Sequence, residues 1–126
     1  MANPSAACRS ALADATRLCP HRSCSFDGIM GDARHAARRS DHNDGNAFDL
    51  THDPDNGIDC NLFAKLALLD RRVQYVIWNR KIYNVDLPVD GWRPYTGAPH
   101  NHHMHVSIKA ELRNEAAGWP WASLES

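Results

Sequence analysis

No apolar run in this chain approaches the roughly 20 residues that a bilayer-crossing helix requires, so a helical membrane anchor is not expected. The opening stretch, MANPSAACRSALADATRLCP, has neither a charged n-region nor a continuous apolar h-region. The expectation is a soluble protein made in the cytoplasm without a Sec signal, which acts outside the cell only if something else releases it. An excess of one charge is missing too. The 14 basic and 15 acidic side chains leave a formal charge of -1, too little for a long-range field that would draw the protein onto nucleic acid or an anionic membrane. Neither partner is expected. Cys8, Cys19, Cys24 and Cys60 are too few for a disulfide scaffold and should stay reduced. Cys19, His21 and Cys24, with Cys8, are close enough in sequence to suggest structural zinc, but the spacing matches no standard finger and ordinary thiols are the expectation. Internal repeats, heptad runs and low-complexity tracts are also missing. A single monomeric domain over 1–126 follows, with its core at about 5–108 and a tail at 109–126.

What is present alternates between helical and strand patterns. Cys8, Ala11, Leu12, Ala15, Leu18 and Cys19 recur at helical spacing, with Ser5 placed to cap the helix and Pro20 to stop it. From there to Ser40 the chain reads as a surface loop, with a possible helical turn in GDARHAARR. AFDL at 47–50 suits a buried strand whose Asp49 points into a site. After the turn-rich THDPDNG, Ile58, Leu62, Leu66 and Leu69 share one predicted helical face, with Asp55 and Asp59 at its start and Arg71 and Arg72 at its end to complement the dipole. VQYVIW (73–78) and KIYNV (81–85), separated by Asn79 and Arg80, predict a hairpin. Residues 86–99 carry Pro88, Gly91, Pro94, Gly97 and Pro99 and read as a loop that shapes a cleft. HMHVSI (103–108) should be a strand. The tail from Lys109 predicts a short helix ending near Gly118, with Trp119 and Trp121 either packed on the core or loose. Helices and strands without regular alternation argue for an α+β fold with a small antiparallel sheet and flanking helices.

The chemistry concentrates in two clusters. SDHNDGNAFDL holds His42 and Asp49; PHNHHMHVSI holds His100, His102, His103 and His105, so five of the eight histidines fall in two short segments. Neutral imidazoles and a carboxylate suit zinc, and an open zinc site uses three protein ligands and leaves a fourth position. His42, Asp49 and one histidine of the second cluster form such a set. Residues two apart on a strand share a face, so His103 and His105 can enter one cleft, one holding metal and the other facing substrate. Gly45 eases the bend that brings His42 back toward Asp49.

His42 and Asp49 followed by His103-Met-His105 resemble the LAS metallopeptidases, named for lysostaphin, D-alanyl-D-alanine peptidases and the hedgehog N-terminal domain. SDHNDGNAFDLTHDP, YVIWNRKIY, WRPYTG and PHNHHMHVS are similar to peptidase modules of actinobacterial phage endolysins, from about Cys8 to Ser107. The resemblance implies an LAS fold and one zinc ion on His42, Asp49 and His105. It further implies hydrolysis of a peptide bond in bacterial peptidoglycan after holin-type release, with a non-catalytic zinc-binding recognition module as the alternative. Where many relatives carry a glutamate base, this chain has His102. The spacing of His100, His103 and His105 instead resembles penicillin-insensitive murein endopeptidases, which makes His103, aided by His100, the expected proton-transfer pair. A histidine with an ordinary pKa near 6.5 can accept a proton from water activated by zinc.

Other polar residues carry weaker expectations. Arg93, with Trp92 and Tyr95 on the cleft loop, either holds a substrate carboxylate or is a solvated arginine beside packing aromatics. His52 and His35 are second-layer groups or solvated loop residues. Ser40 caps a turn, Arg38 and Arg39 are solvated, His102 is exposed, and Trp78 and Tyr83 pack the sheet.

Overall fold

The computed structural model describes residues 4–29 and 45–124. The expectations for His35, Arg38, Arg39, Ser40 and His42, and for a turn in GDARHAARR, lie outside the described residues. The fold is α+β: two helices among the described residues and one antiparallel sheet of five strands. None of these helices is long and apolar enough to cross a membrane.

Helix α1 spans Ala6–Leu18, and Ser5 Oγ accepts the Cys8 backbone N–H at 3.2 Å, as the capping position requires. Its inward stripe of Ala7, Cys8, Ala11 and Ala15 is fully buried and small. Small side chains leave room for two large ones. Trp119 and Trp121 lie on that stripe, and their indole N–H groups donate to the carbonyls of Ala7 and Ala11 at 2.9 and 3.0 Å.

The sheet is built from β1 (Ala47–Thr51), β2 (Val73–Trp78), β3 (Lys81–Asn84), β4 (Arg93–Pro94) and β5 (His103–Ile108), in the order β1-β5-β2-β3-β4. Asp49 pairs with His105 across β1 and β5, and Ile77 of β2 pairs with His105 from the other side. Side chains alternate across a strand, so this register separates two faces. Phe48, Leu50, Val76, Met104 and Val106 fall on the face covered by the helices and are completely buried. Asp49, Tyr75, His103, His105 and Ser107 fall on the other.

Asn79 and Arg80 form the predicted hairpin turn with φ of 51° and 68°. Two left-handed residues match the twist of the strands they join. Their N–H groups point away from the hairpin and donate to the carbonyls of His100 and Pro99, each at 2.8 Å. Residues 86–99 are ordered largely by a 3₁₀ turn at Pro88–Asp90 and the short β4.

Two expectations need correction. Helix α2 is only Cys60–Ala67, capped by Asp59, and its buried face is Cys60, Phe63, Ala64 and Ala67 rather than the leucine stripe. Leu62 is 46% exposed and Leu69, past the helix end, is 77% exposed. Phe63 stacks on Trp121 at 5.3 Å, and the two alanines let α2 approach the sheet closely. Nor is there a helix through Gly118: a 3₁₀ turn at Ala110–Leu112 gives way to irregular chain. Arg72 holds that chain. It makes a two-pronged ion pair with Asp70, donates to the carbonyls of Glu115, Ala117 and Gly118, and lies 4.2 Å from the Trp119 ring. All five guanidinium donors are therefore used. Trp119 and Trp121 pack on the core at 2% and 0% exposure.

Candidate metal centre

The face of the sheet opposite the helices gathers the histidines. His103 and His105, two apart on β5, flank Asp49 on β1. His105 Nδ1 lies 3.3 Å from one carboxylate oxygen and His103 Nε2 3.6 Å from the other. His100 enters from the loop before β5 with φ of 50°, and its ring centroid is 5.1 Å from that of His103 and 5.7 Å from that of His105. One ligand atom from each of Asp49, His100 and His103 lies within 4.8 Å of the others, a spacing that could hold a metal ion.

The surroundings fix the rings. Nδ1 of His100 meets the Ala98 carbonyl at 2.7 Å, and since a carbonyl only accepts, Nδ1 carries the proton in that contact. Nε2 of His105 meets Ser107 Oγ at 3.0 Å, and Tyr75 stacks on the same imidazole at 5.6 Å. His105 is accordingly buried, at 8% exposure, while the His103 side chain is 24% exposed. The Phe26 ring stacks on both His102 and His103, at 5.5 and 5.7 Å.

A part-buried ion pair sets the loop that carries Phe26. Arg22 grips both carboxylate oxygens of Asp27, at 3.1 and 2.6 Å, and also reaches Thr16 on α1. Burial alone would lower the Arg22 pKa, but the hydrogen bond and charge of Asp27 together raise it further above its ordinary value. Asp27 in turn accepts from the backbone and hydroxyl of Thr51 at the end of β1, at 3.0 and 2.7 Å. Thr51 Oγ1 then accepts the Phe26 N–H at 3.0 Å. Gly28 adds a β-bridge to Asp49 itself.

Among the expected site residues, Asp49, His100, His103 and His105 come together here. His42 lies outside the described residues. Tyr95 reaches the site through an edge contact with His100 at 5.9 Å, whereas Trp92 packs against Tyr83 and Arg93 is exposed on β4. His102 is exposed, as expected. His52 is structural: its Nδ1 accepts the Cys60 N–H at 3.0 Å and its ring packs 4.9 Å from Trp78. Ser107, Tyr75, Phe26 and the pair Arg22 and Asp27 were not expected. Ser107 was readable, being two residues beyond His105 on the same strand face; the others arrive through long-range packing.

Residues 5–106 match the family model described as VldE, C-terminal domain. The chain belongs to the VldE C-terminal domain family. The match takes in α1, α2, the first four strands and the histidine end of β5, and with them Asp49, His100, His103 and His105. No curated protein and no solved structure matches the chain. Membership in this family overturns the resemblance to LAS metallopeptidases and phage endolysins. The reading as a peptidoglycan peptidase with a bacteriolytic role, and its recognition-module alternative, go with it. The physical reason is that two imidazoles and a carboxylate on neighbouring strands are a general answer to binding a divalent ion, which different families can reach with different activities. The α+β architecture stands without the LAS name.

Proposed function

We propose that this domain holds one zinc ion on Asp49, as an open centre serving a metal-dependent reaction. The observation that carries the reading is the bracketing of a single carboxylate by two imidazole nitrogens, at 3.3 and 3.6 Å. The longer separation exceeds a hydrogen bond. The shorter, between Asp49 and His105, is close to the roughly 3.4 Å that separates two ligands about 2.1 Å from one tetrahedral zinc ion, and the longer leaves His103 beside the other carboxylate oxygen.

In this reading Asp49 and His105 are ligands, joined by His42 as the sequence leads one to expect. Nε2–H of His105 donates to Ser107, the outer hydrogen bond that commonly orients a metal-bound imidazole. His103 and His100 line the open side, where either ring can take up or return a proton. A bound zinc ion supplies Lewis acidity and brings the pKa of water down toward about 7. A second assignment, with Asp49, His100 and His103 as the ligands, is favoured by their mutual approach within 4.8 Å.

Calorimetric zinc titration of the metal-stripped protein, with metal analysis, tests both. One zinc per chain is expected, with affinity lowered at least about 100-fold in Asp49→Ala. In the first assignment His105→Ala and His42→Ala lose zinc while His100→Ala keeps it; in the second the pattern reverses for His100 and His105. Unchanged zinc binding by Asp49→Ala, or no uptake by the wild type, would overturn the proposal.

A further inference from the structure

Behind the hairpin tip, away from the histidine face, α2, β2, β3 and Trp92 line an open pocket of about 250 Å³. Its lining is chemically uneven. Trp78 and Trp92 supply aromatic surface, Lys65 and Lys81 the only charges, and Asn61 and Asn79 side-chain amides. No acidic residue lines it, and neither lysine has an ion-pair partner among the described residues. Lys65 and Lys81 come from elements separated by the whole of β2, so their convergence is a product of the fold.

Two details shape the recognition chemistry. The Trp78 indole N–H can only donate, and it donates to Asn61 Oδ1 at 3.0 Å. That contact fixes the amide orientation and turns the Nδ2 donors of Asn61 away from the indole. Ala64, 1% exposed, gives the pocket a small apolar floor where a longer side chain would fill it. Two ammonium groups, an amide donor and indole surface together favour a negatively charged head on a flat body. The volume suits a ligand with a single ring.

We propose that this pocket is a binding site for a small organic anion carrying one ring, its charge held by Lys65 and Lys81 and its ring against Trp78 and Trp92. The site is independent of the zinc reading. It also touches the structure behind the metal centre: Asn79 lines the pocket and its backbone N–H holds the His100 carbonyl at 2.8 Å.

Phenyl phosphate is a suitable probe, with inorganic phosphate and phenol as the charge-only and ring-only controls. The four tryptophans give an internal reference in ¹⁵N-resolved NMR, because Trp119 and Trp121 are buried elsewhere in the core. Saturable shifts are expected in the indole signals of Trp78 and Trp92 and none in those of Trp119 and Trp121. Each control should bind at least about tenfold more weakly than phenyl phosphate. The paired change Lys65→Gln and Lys81→Gln, at two exposed positions, should weaken phenyl phosphate about tenfold or more while leaving the spectrum of the free protein folded. No shift at millimolar phenyl phosphate, equal shifts in all four indoles, or full affinity in the doubly substituted protein would each overturn the proposal.

Discussion

At the scale of single residues, burial decides which chemically capable groups can act. None of the four cysteines is in a disulfide, yet only Cys24 is exposed. Burial pushes the Cys60 thiol up to about 12, well beyond its ordinary range, and the thiol faces the Leu50 carbonyl. Burial also raises Cys19. Thiolate is the reactive form, so the native protein should react at Cys24 alone with an alkylating reagent near pH 8. Mass spectrometry should find one rapid adduct in the folded state and four in denaturant; rapid native labelling of Cys60 would contradict the burial described. The same lesson applies to legibility. The side chains that carry the centre were visible because a two-residue period places His103 and His105 together. Arg22 and Asp27 were not, because only the folded loop brings that pair under Thr51.

Among elements, the connections between strands position more than the strands do. The β2–β3 turn was readable as a turn, but not as the clamp that holds residues 99 and 100 by two hydrogen bonds. That clamp needs left-handed backbone at Arg80, whose side chain makes such a conformation costly. Arg80→Gly keeps the N–H and removes the clash, so it should stabilise the protein by about 1 kcal/mol in chemical denaturation, with the His100 loop unchanged. A fall in stability would place the value of Arg80 in its side chain. Asp53 makes a comparable link between the 20–29 loop and the turn before α2. It accepts from the Ser23 N–H at 2.8 Å and the Asn56 side chain at 2.9 Å, and these bonds hold its carboxyl below the ordinary range. A depressed carboxylate contributes its stabilisation fully above the unfolded pKa of about 3.9 and loses it as pH falls through the lower folded value. Protection of the Ser23 amide, measured against its intrinsic exchange rate at each pH, should therefore fall below about pH 4, and Asp53→Asn should flatten that acid dependence.

α2 shows why an element can be foreseen and its orientation missed. Ile58, Leu62, Leu66 and Leu69 are the more hydrophobic stripe, but a helix of two turns offers adjacent stripes that differ by one residue. The fold chose the stripe with Ala64 and Ala67, because Phe63 and Trp121 already fill the space a leucine face would need. Volume overrode hydrophobicity. That competition depends on residues more than 50 positions away, beyond the reach of local periodicity.

For the molecule as a whole, the segment after β5 completes the core even though the family match stops at residue 106. Trp119 and Trp121 are the two largest fully buried side chains, and Trp119 meets Phe48 edge-on at 5.3 Å. Trp119→Ala should cost about 3–5 kcal/mol, since it opens a cavity and strips Arg72 of its aromatic partner. Leu124→Ala, at a position 37% exposed, should change stability little. Equal melting temperatures for the two variants would mean that the segment is only loosely attached.

The hydrogen bond from Trp119 to Ala7 spans 112 residues, and that from Trp121 to Ala11 spans 110. During synthesis the first helix therefore leaves the ribosome long before the indoles that cover it exist. Until those residues are made, its alanine and cysteine stripe lacks its native cover, so α1 reaches its final packing only with Trp119 and Trp121 in place.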